Sequence, residues 1–305
     1  MTTRAALVVA VLLTQAVFRS QTHSVWVNVS VRQGNGPVPG LQPHDFVVHD
    51  DGVAQTVDAI AGDLVPVDVT VLLDNSGSMA AAQDEVRADV MKMASLLRPT
   101  DRLRLLAIDG QGRVRDLFGW RGGDSPPTLS DLPIGSGSPI SDALLLAMIR
   151  RSDPDRRHLI FALTDAADWQ PVADTLAVIE VAQRTDAVLH VALVQMSDRS
   201  HLSMLPQVSG SMMRYRNGAK VNRYDNLATA AELTGGRLRD APVIPSRDRN
   251  VTAFRAALEE FRQSYLLRFT RKDAPRPGWH ELRVAVPSRS RAEIRARKGY
   301  FGDSR

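Results

Sequence analysis

The feature that most limits what this chain can become is a series of near-continuous apolar strands, alternating with helix-spaced segments and beginning at Val67. Val67–Leu73 (VDVTVLL), Leu103–Ile108 (LRLLAI), His158–Leu163 (HLIFAL) and Ala187–Met196 (AVLHVALVQM) are too uniformly apolar for strands with one wetted face. Between them, Met79–Leu97 sets Val86, Val90, Met93 and Leu97 on one stripe. Asp142–Arg150, Val172–Arg184 and Leu227–Leu233 also read as helices, and Val114–Trp120 as a hairpin partner of Leu103–Ile108. Strands buried on both faces need helices on both sides. The pattern therefore predicts an α/β fold, a doubly wound and mostly parallel sheet over residues 66–245.

The flanks differ in style. Val25–Val31 (VWVNVSV) alternates, Phe46–His49 is a short apolar run, and Gly34-Asn35-Gly36-Pro37 and Asp50-Asp51-Gly52 are turn chemistry. After a last helix at Thr252–Ser264, the segments Tyr265–Phe269, Glu281–Val286 and Glu293–Arg297 return to strand spacing. Neither set of strands suffices alone. The N-terminal β segment, 21–65, is therefore expected to pair with the C-terminal helix and β segment, 246–305, in one small β-sandwich. Segment 197–222, polar and carrying Met204, Met212 and Met213, reads as a long loop pinned to the body by its methionines. Residues 1–20 have the form of a secretory signal peptide: Arg4, then the apolar run Ala5–Leu13, with small residues Thr14 and Ala16 beyond. The expected location is secreted or periplasmic. No later segment reaches the roughly 18 apolar residues of a membrane span.

Several chemistries are excluded. With no cysteine there is no disulfide, thiolate zinc site, iron–sulfur cluster or thiol nucleophile. The seven histidines form no HExxH pattern, Ser76 has no evident base, and no GxxxxGK[ST] loop is present, so the chain reads as a non-enzyme. Its net charge of +4 is uneven: residues 247–305 carry +8, while 67–246 carry −2. The basic excess lacks the aromatic interleaving that stacks bases, which favours a solvated face or an anionic envelope contact over nucleic acid.

What remains is Asp74-x-Ser76-x-Ser78, on the loop between an apolar strand and a helix. Ligands of open α/β sheets bind outside the carboxyl ends of the strands. One carboxylate and two hydroxyls are hard oxygen donors suited to Mg²⁺, or to Mn²⁺ or Ca²⁺. Ser136-Gly137-Ser138 supplies a second hydroxyl-bearing loop, and Asp165 ends another buried strand at the same sheet edge. The competing reading makes Asp74 or Ser76 a helix cap. Asp168 reads as a solvated or capping residue.

These residues carry a resemblance. DNSGSM after VDVTVLL, then SGSPISDALLLA, then LIFALTDAADW, resemble a von Willebrand factor type A domain and its metal-ion-dependent adhesion site. The flanks, PVPGLQPHDFVVHDDGVAQTVDAI upstream and FRQSYLLRFTRKDAPRPGWHELRV with ARKGYF downstream, look like the bacterial VWFA-related, acidobacterial-type family. The likeness runs from about Val25 to Phe301. It implies a metal set of Asp74, Ser76, Ser78, Ser138 and Asp165, and a protein partner whose Asp or Glu carboxylate completes the coordination. Two positions depart from the pattern: Ser138 stands where threonine is usual, and Ala166 where glycine is frequent. If position 166 requires positive φ, alanine costs about 1–2 kcal/mol there. Two functional classes follow: a metal-dependent binding module, or an envelope structural protein with a vestigial site whose contacts are made by the sandwich.

Overall fold

The computed structural model describes residues 24–34, 36–61, 65–75, 83–109, 111–122, 137–149, 153, 155–166, 171–173, 175–193, 213–216, 219–240, 248–271 and 276–302. The N-terminal strands are β1 (Ser24–Gln33), β2 (Gly36–Pro37), β3 (Val47–Asp50), β4 (Val53–Gln55) and β5 (Val57–Ala61). The α/β part follows as β6 (Val67–Leu73), α1 (Gln83–Ala94), β7 (Arg102–Ile108), β8 (Val114–Gly122), α2 (Ile140–Ile149), β9 (Arg157–Thr164), α3 (Thr175–Ala182) and β10 (Val188–Leu193). It continues with β11 (Met213–Arg216), β12 (Ala219–Asn222), α4 (Arg223–Leu233), β13 (Arg237–Asp240) and α5 (Arg249–Arg262). The chain ends in β14 (Tyr265–Thr270), β15 (Gly278–Ala285), β16 (Glu293–Ala296) and β17 (Gly299–Gly302).

The central sheet has the order β13-β10-β9-β6-β7-β8. It is parallel except for β8, which runs antiparallel to β7. Alternation along each strand divides its side chains between two cores. Val67, Val69, Val71, Leu159, Phe161 and Leu163 meet α1 and α5 through Val90, Met93, Phe254 and Leu258. Leu72, Leu106, Ile160, Ala162 and Val191 meet α2, α3 and α4 through Leu144, Val178 and Ala230. Helices on both faces explain why these strands are buried along almost their whole length and mostly apolar.

The two chain ends interleave. One antiparallel sheet has the order β16-β1-β14-β5, with β2 on β1, and the other has the order β17-β15-β3-β4. A third apolar cluster draws Val27, Val29, Leu267 and Phe269 from the first sheet and Val48, Leu282 and Tyr300 from the second. Buried Arg157 ties this region to the α/β part: its guanidinium donates to Asn28 Oδ1 (2.9 Å), Phe261 O (2.5 Å) and Ser264 Oγ (2.5 Å). Close backbone approach does the same at Gly235, where an added Cβ would lie 2.9 Å from the backbone of Ala296 and Arg297 at the end of β16.

Two local expectations change. The helix expected from Val172 begins at Thr175, because the N–H groups of Val172 and Ala173 donate instead to the Asp142 carboxylate at 2.9 and 2.7 Å. Within 197–222, β11 and β12 form an antiparallel pair rather than continuous loop. Asn217-Gly218, between them in sequence, is the strongest short hairpin signal. Residues 1–23, with the leader expected there, and Met204 and Met212 lie outside the described residues.

Candidate metal centre

Asp74 immediately follows β6 and is 2% exposed. Its N–H donates to Leu163 O at 3.0 Å, extending the β6–β9 pairing by one step and aligning the ends of the two strands. Thr164 therefore lies beside it, and the Thr164 hydroxyl donates to Asp74 Oδ2 at 2.7 Å. From the turn before α2, the buried Ser138 hydroxyl reaches both carboxylate oxygens at 3.1 Å. Asp165, half-buried, follows Thr164 at the same sheet edge. Residues 64 and 90 positions from Asp74 thus meet it at one edge, as the topology of an open sheet requires.

The supports are local. Ala166 N–H donates to Thr164 Oγ1 at 2.9 Å, and Ala166 has φ +63° while only 1% exposed. The position that resembles a glycine site does hold a left-handed backbone. Next to Ser138 in sequence, Gly137 is met by Gly112: a Cβ added at Gly112, whose φ is +71°, would lie 3.2 Å from Gly137 Cα. Asp109 holds the backbone near Gly112 by accepting the N–H groups of Gln111 and Arg113 and the Arg113 guanidinium. Burial works to raise the Asp109 carboxyl, but these donors hold it below its ordinary range.

Of the five residues expected to bind metal, Asp74 and Ser138 are in contact and Asp165 is next to Asp74's partner Thr164. Ser76 and Ser78 lie outside the described residues. Thr164 was not foreseen; its only signal is a hydroxyl in the last position of a buried strand. The donors described are carboxylate and hydroxyl oxygens, a set that fits a hard divalent ion and offers nothing to a soft one. His158 and His190 are strand residues of the core, pushed by burial to about 4 and about 3 respectively. A separate group of potential ligands, Asp50, Asp51 and His280, lies in the sheets formed by the chain ends.

No family model and no curated protein matches the chain. Among solved structures, it is similar to a von Willebrand factor type A protein from Catenulispora acidiphila, at 10% identity and a TM-score of 0.45 over 93% of this chain and 75% of that one. An aerotolerance-related membrane protein from Bacteroides fragilis NCTC 9343 is 14% identical over 64% of this chain and 98% of its own, with a TM-score of 0.41. The pilus adhesin SpaC from Lactobacillus rhamnosus GG is 10% identical over 90% of this chain and 48% of its own, with a TM-score of 0.44. At these identities and scores, none assigns a function to this chain.

Proposed function

We propose that this protein is an exported binding module that holds a divalent cation, Mg²⁺ in the first instance, between Asp74, Ser76, Ser78, Ser138 and Asp165, and that a partner protein's Asp or Glu carboxylate completes the coordination. One observation carries this reading: a carboxylate that is 2% exposed, set at a strand end, faces a hydroxyl 3.1 Å from both its oxygens. Two carboxylates and several hydroxyls leave a divalent ion electrophilic enough to take another oxygen anion. The interleaved terminal sheets, sharing one apolar cluster, support reading residues 21–65 and 246–305 as a small sandwich beside an α/β domain at 66–245. Among the described residues no helix is long and apolar enough to cross a membrane. Calorimetric titration with Mg²⁺ tests the metal directly: one binding event is expected in the native chain and none in Asp74→Ala. An absence of heat from the native protein overturns the reading.

A second reading has its own observation. The hydroxyls of Ser138 and Thr164 already donate to Asp74, and the left-handed turn at 166 is occupied by alanine. On this reading the site is vestigial and the terminal sheets make the contacts. Partner binding that survives excess EDTA, or Ser76→Ala combined with Ser78→Ala, supports it.

A further inference from the structure

Asp74 and Thr164, 90 positions apart, share a hydrogen bond because alternation along their strands gives them the same face of the sheet. Leu72 on β6 and Ile160 and Ala162 on β9 belong to the core on the α2 side. Asp74 continues the parity of Leu72, and Thr164 that of Ala162. Both therefore point towards the start of α2, where Ser138 meets Asp74. Asp74 is 2% exposed, and Thr164 and Ser138 are fully buried.

The Thr164 hydroxyl is engaged on both sides. Its proton goes to Asp74 Oδ2 at 2.7 Å, and its oxygen accepts Ala166 N–H at 2.9 Å. An ionised carboxylate only accepts and an N–H only donates, so the direction of both bonds is fixed. The bond to the carboxylate is charge-assisted, and it is shorter than the 3.1 Å from Ser138 to each Asp74 oxygen. Threonine is β-branched, which restricts its χ1 and keeps the hydroxyl from swinging away. With Asp74 N–H tied to Leu163 O at 3.0 Å, the aspartate is held at its backbone and at its head. The same hydroxyl holds the turn at Ala166, whose φ is +63°, and Asp165 is the residue between Thr164 and that turn. One side chain thus ties the first carboxylate of the centre to the backbone that carries the second.

The consequence for a cation follows from the difference between two hard ions. Mg²⁺ requires near-octahedral oxygen ligands at about 2.0–2.1 Å, whereas Ca²⁺ accepts more ligands, at about 2.3–2.6 Å, in looser geometry. A carboxylate free to rotate can adjust to Ca²⁺, but it suits Mg²⁺ in one orientation only. Fixing Asp74 therefore favours the smaller ion. Removing a partner that orients a metal ligand typically costs about 10–100-fold in affinity. Bonded to protein through its proton and a lone pair, Thr164 acts through Asp74 rather than on the ion.

We propose that Thr164 is the positioning residue of the Asp74 centre, and that its hydroxyl, by fixing Asp74 and the Ala166 turn together, sets a preference for Mg²⁺ over Ca²⁺. This role rests on the reading that Asp74 holds a divalent cation. The test titrates the full chain by calorimetry with Mg²⁺ and, separately, with Ca²⁺, and compares the native protein with Thr164→Val and Thr164→Ser. Valine keeps the shape and removes the hydroxyl; it should weaken Mg²⁺ binding by more than about tenfold and Ca²⁺ binding by less. Serine keeps the hydroxyl and should return both affinities towards the native values. Thermal unfolding in EDTA checks that each variant is folded. If the valine chain does not melt cooperatively, Thr164→Ala takes its place with the same expectation. A native chain that takes up neither ion overturns the centre itself, and this role with it. Native binding whose Mg²⁺ to Ca²⁺ preference is unchanged in the valine chain, or a serine chain as weak as the valine chain, overturns the role of Thr164 alone.

Discussion

Replacing Ala166 by glycine tests the geometry on which the candidate centre rests. Ala166 lies at φ +63°, is 1% exposed, and follows Asp165 directly. A left-handed backbone costs a non-glycine residue about 1–2 kcal/mol, and Ala166→Gly releases that strain. Against it stand about 0.4–1 kcal/mol for the greater freedom of glycine in the unfolded chain and about 0.8 kcal/mol for the buried methyl that is lost. The three contributions nearly cancel, so the expected change in stability lies within about 1 kcal/mol of zero. With right-handed or extended backbone at 166 there is no strain to release, and the same substitution costs about 1–2 kcal/mol. Ala166→Val sharpens the contrast: a β-branched side chain at positive φ in a buried site should destabilise by more than about 2 kcal/mol. Urea unfolding of the three proteins, followed by circular dichroism at constant m-value, measures the differences. A loss of about 2 kcal/mol in the glycine variant, or a tolerated valine, refutes the left-handed assignment and the placement of Asp165 that depends on it.

Other consequences follow from the same structure. His158 and His190, brought by burial from 6.5 to about 4 and about 3, take up protons in the unfolded chain before they do in the native one. Stability should therefore fall as pH drops from about 6.5 towards 4, by up to about 1.4 kcal/mol per pH unit for each histidine. Urea midpoints equal at pH 7 and pH 5 would contradict this, and His190→Gln should flatten the slope. Gly236→Ala drives a Cβ into the Leu189 carbonyl on backbone that cannot yield, so loss of the cooperative thermal transition is expected; a native-like melting curve refutes the close approach. Arg157→Ala removes the guanidinium's hydrogen bonds to Asn28 Oδ1, Phe261 O and Ser264 Oγ at the seam between the two parts. It should cost more than about 3 kcal/mol, counting about 1.5–3 for each hydrogen bond from a charged donor that is lost; a loss below about 1 kcal/mol in denaturant titration would mean that the seam does not depend on this arginine.

The central sheet was legible because its helices cover both faces, so Val67–Leu73 and Arg157–Thr164 are buried throughout and stand out as mostly apolar runs. The convergence of Asp74 with Ser138 followed from the rule that strand ends and helix starts share one edge, without any knowledge of their distance. Thr164 escaped notice because a lone strand-end threonine has no pattern, although it makes the shorter bond to Asp74. The group of Asp50, Asp51 and His280 was invisible for a different reason. Its members are turn residues and a strand histidine joined only by β3–β15 pairing, and register between distant strands is not written in local spacing. Arg157 likewise looked like an ordinary strand flank, and its function depends on what α5 and β1 bring to it.

The central claim is that a hard divalent cation binds at the edge where β6, β9 and the start of α2 meet. Crystals of the full chain soaked in Mn²⁺, with data collected for anomalous scattering, locate such an ion without reference to any partner. The account predicts a peak among Asp74, Ser138 and Asp165 that disappears in Asp74→Ala. A map with no peak there, or with one only beside Asp50, Asp51 and His280, would contradict it.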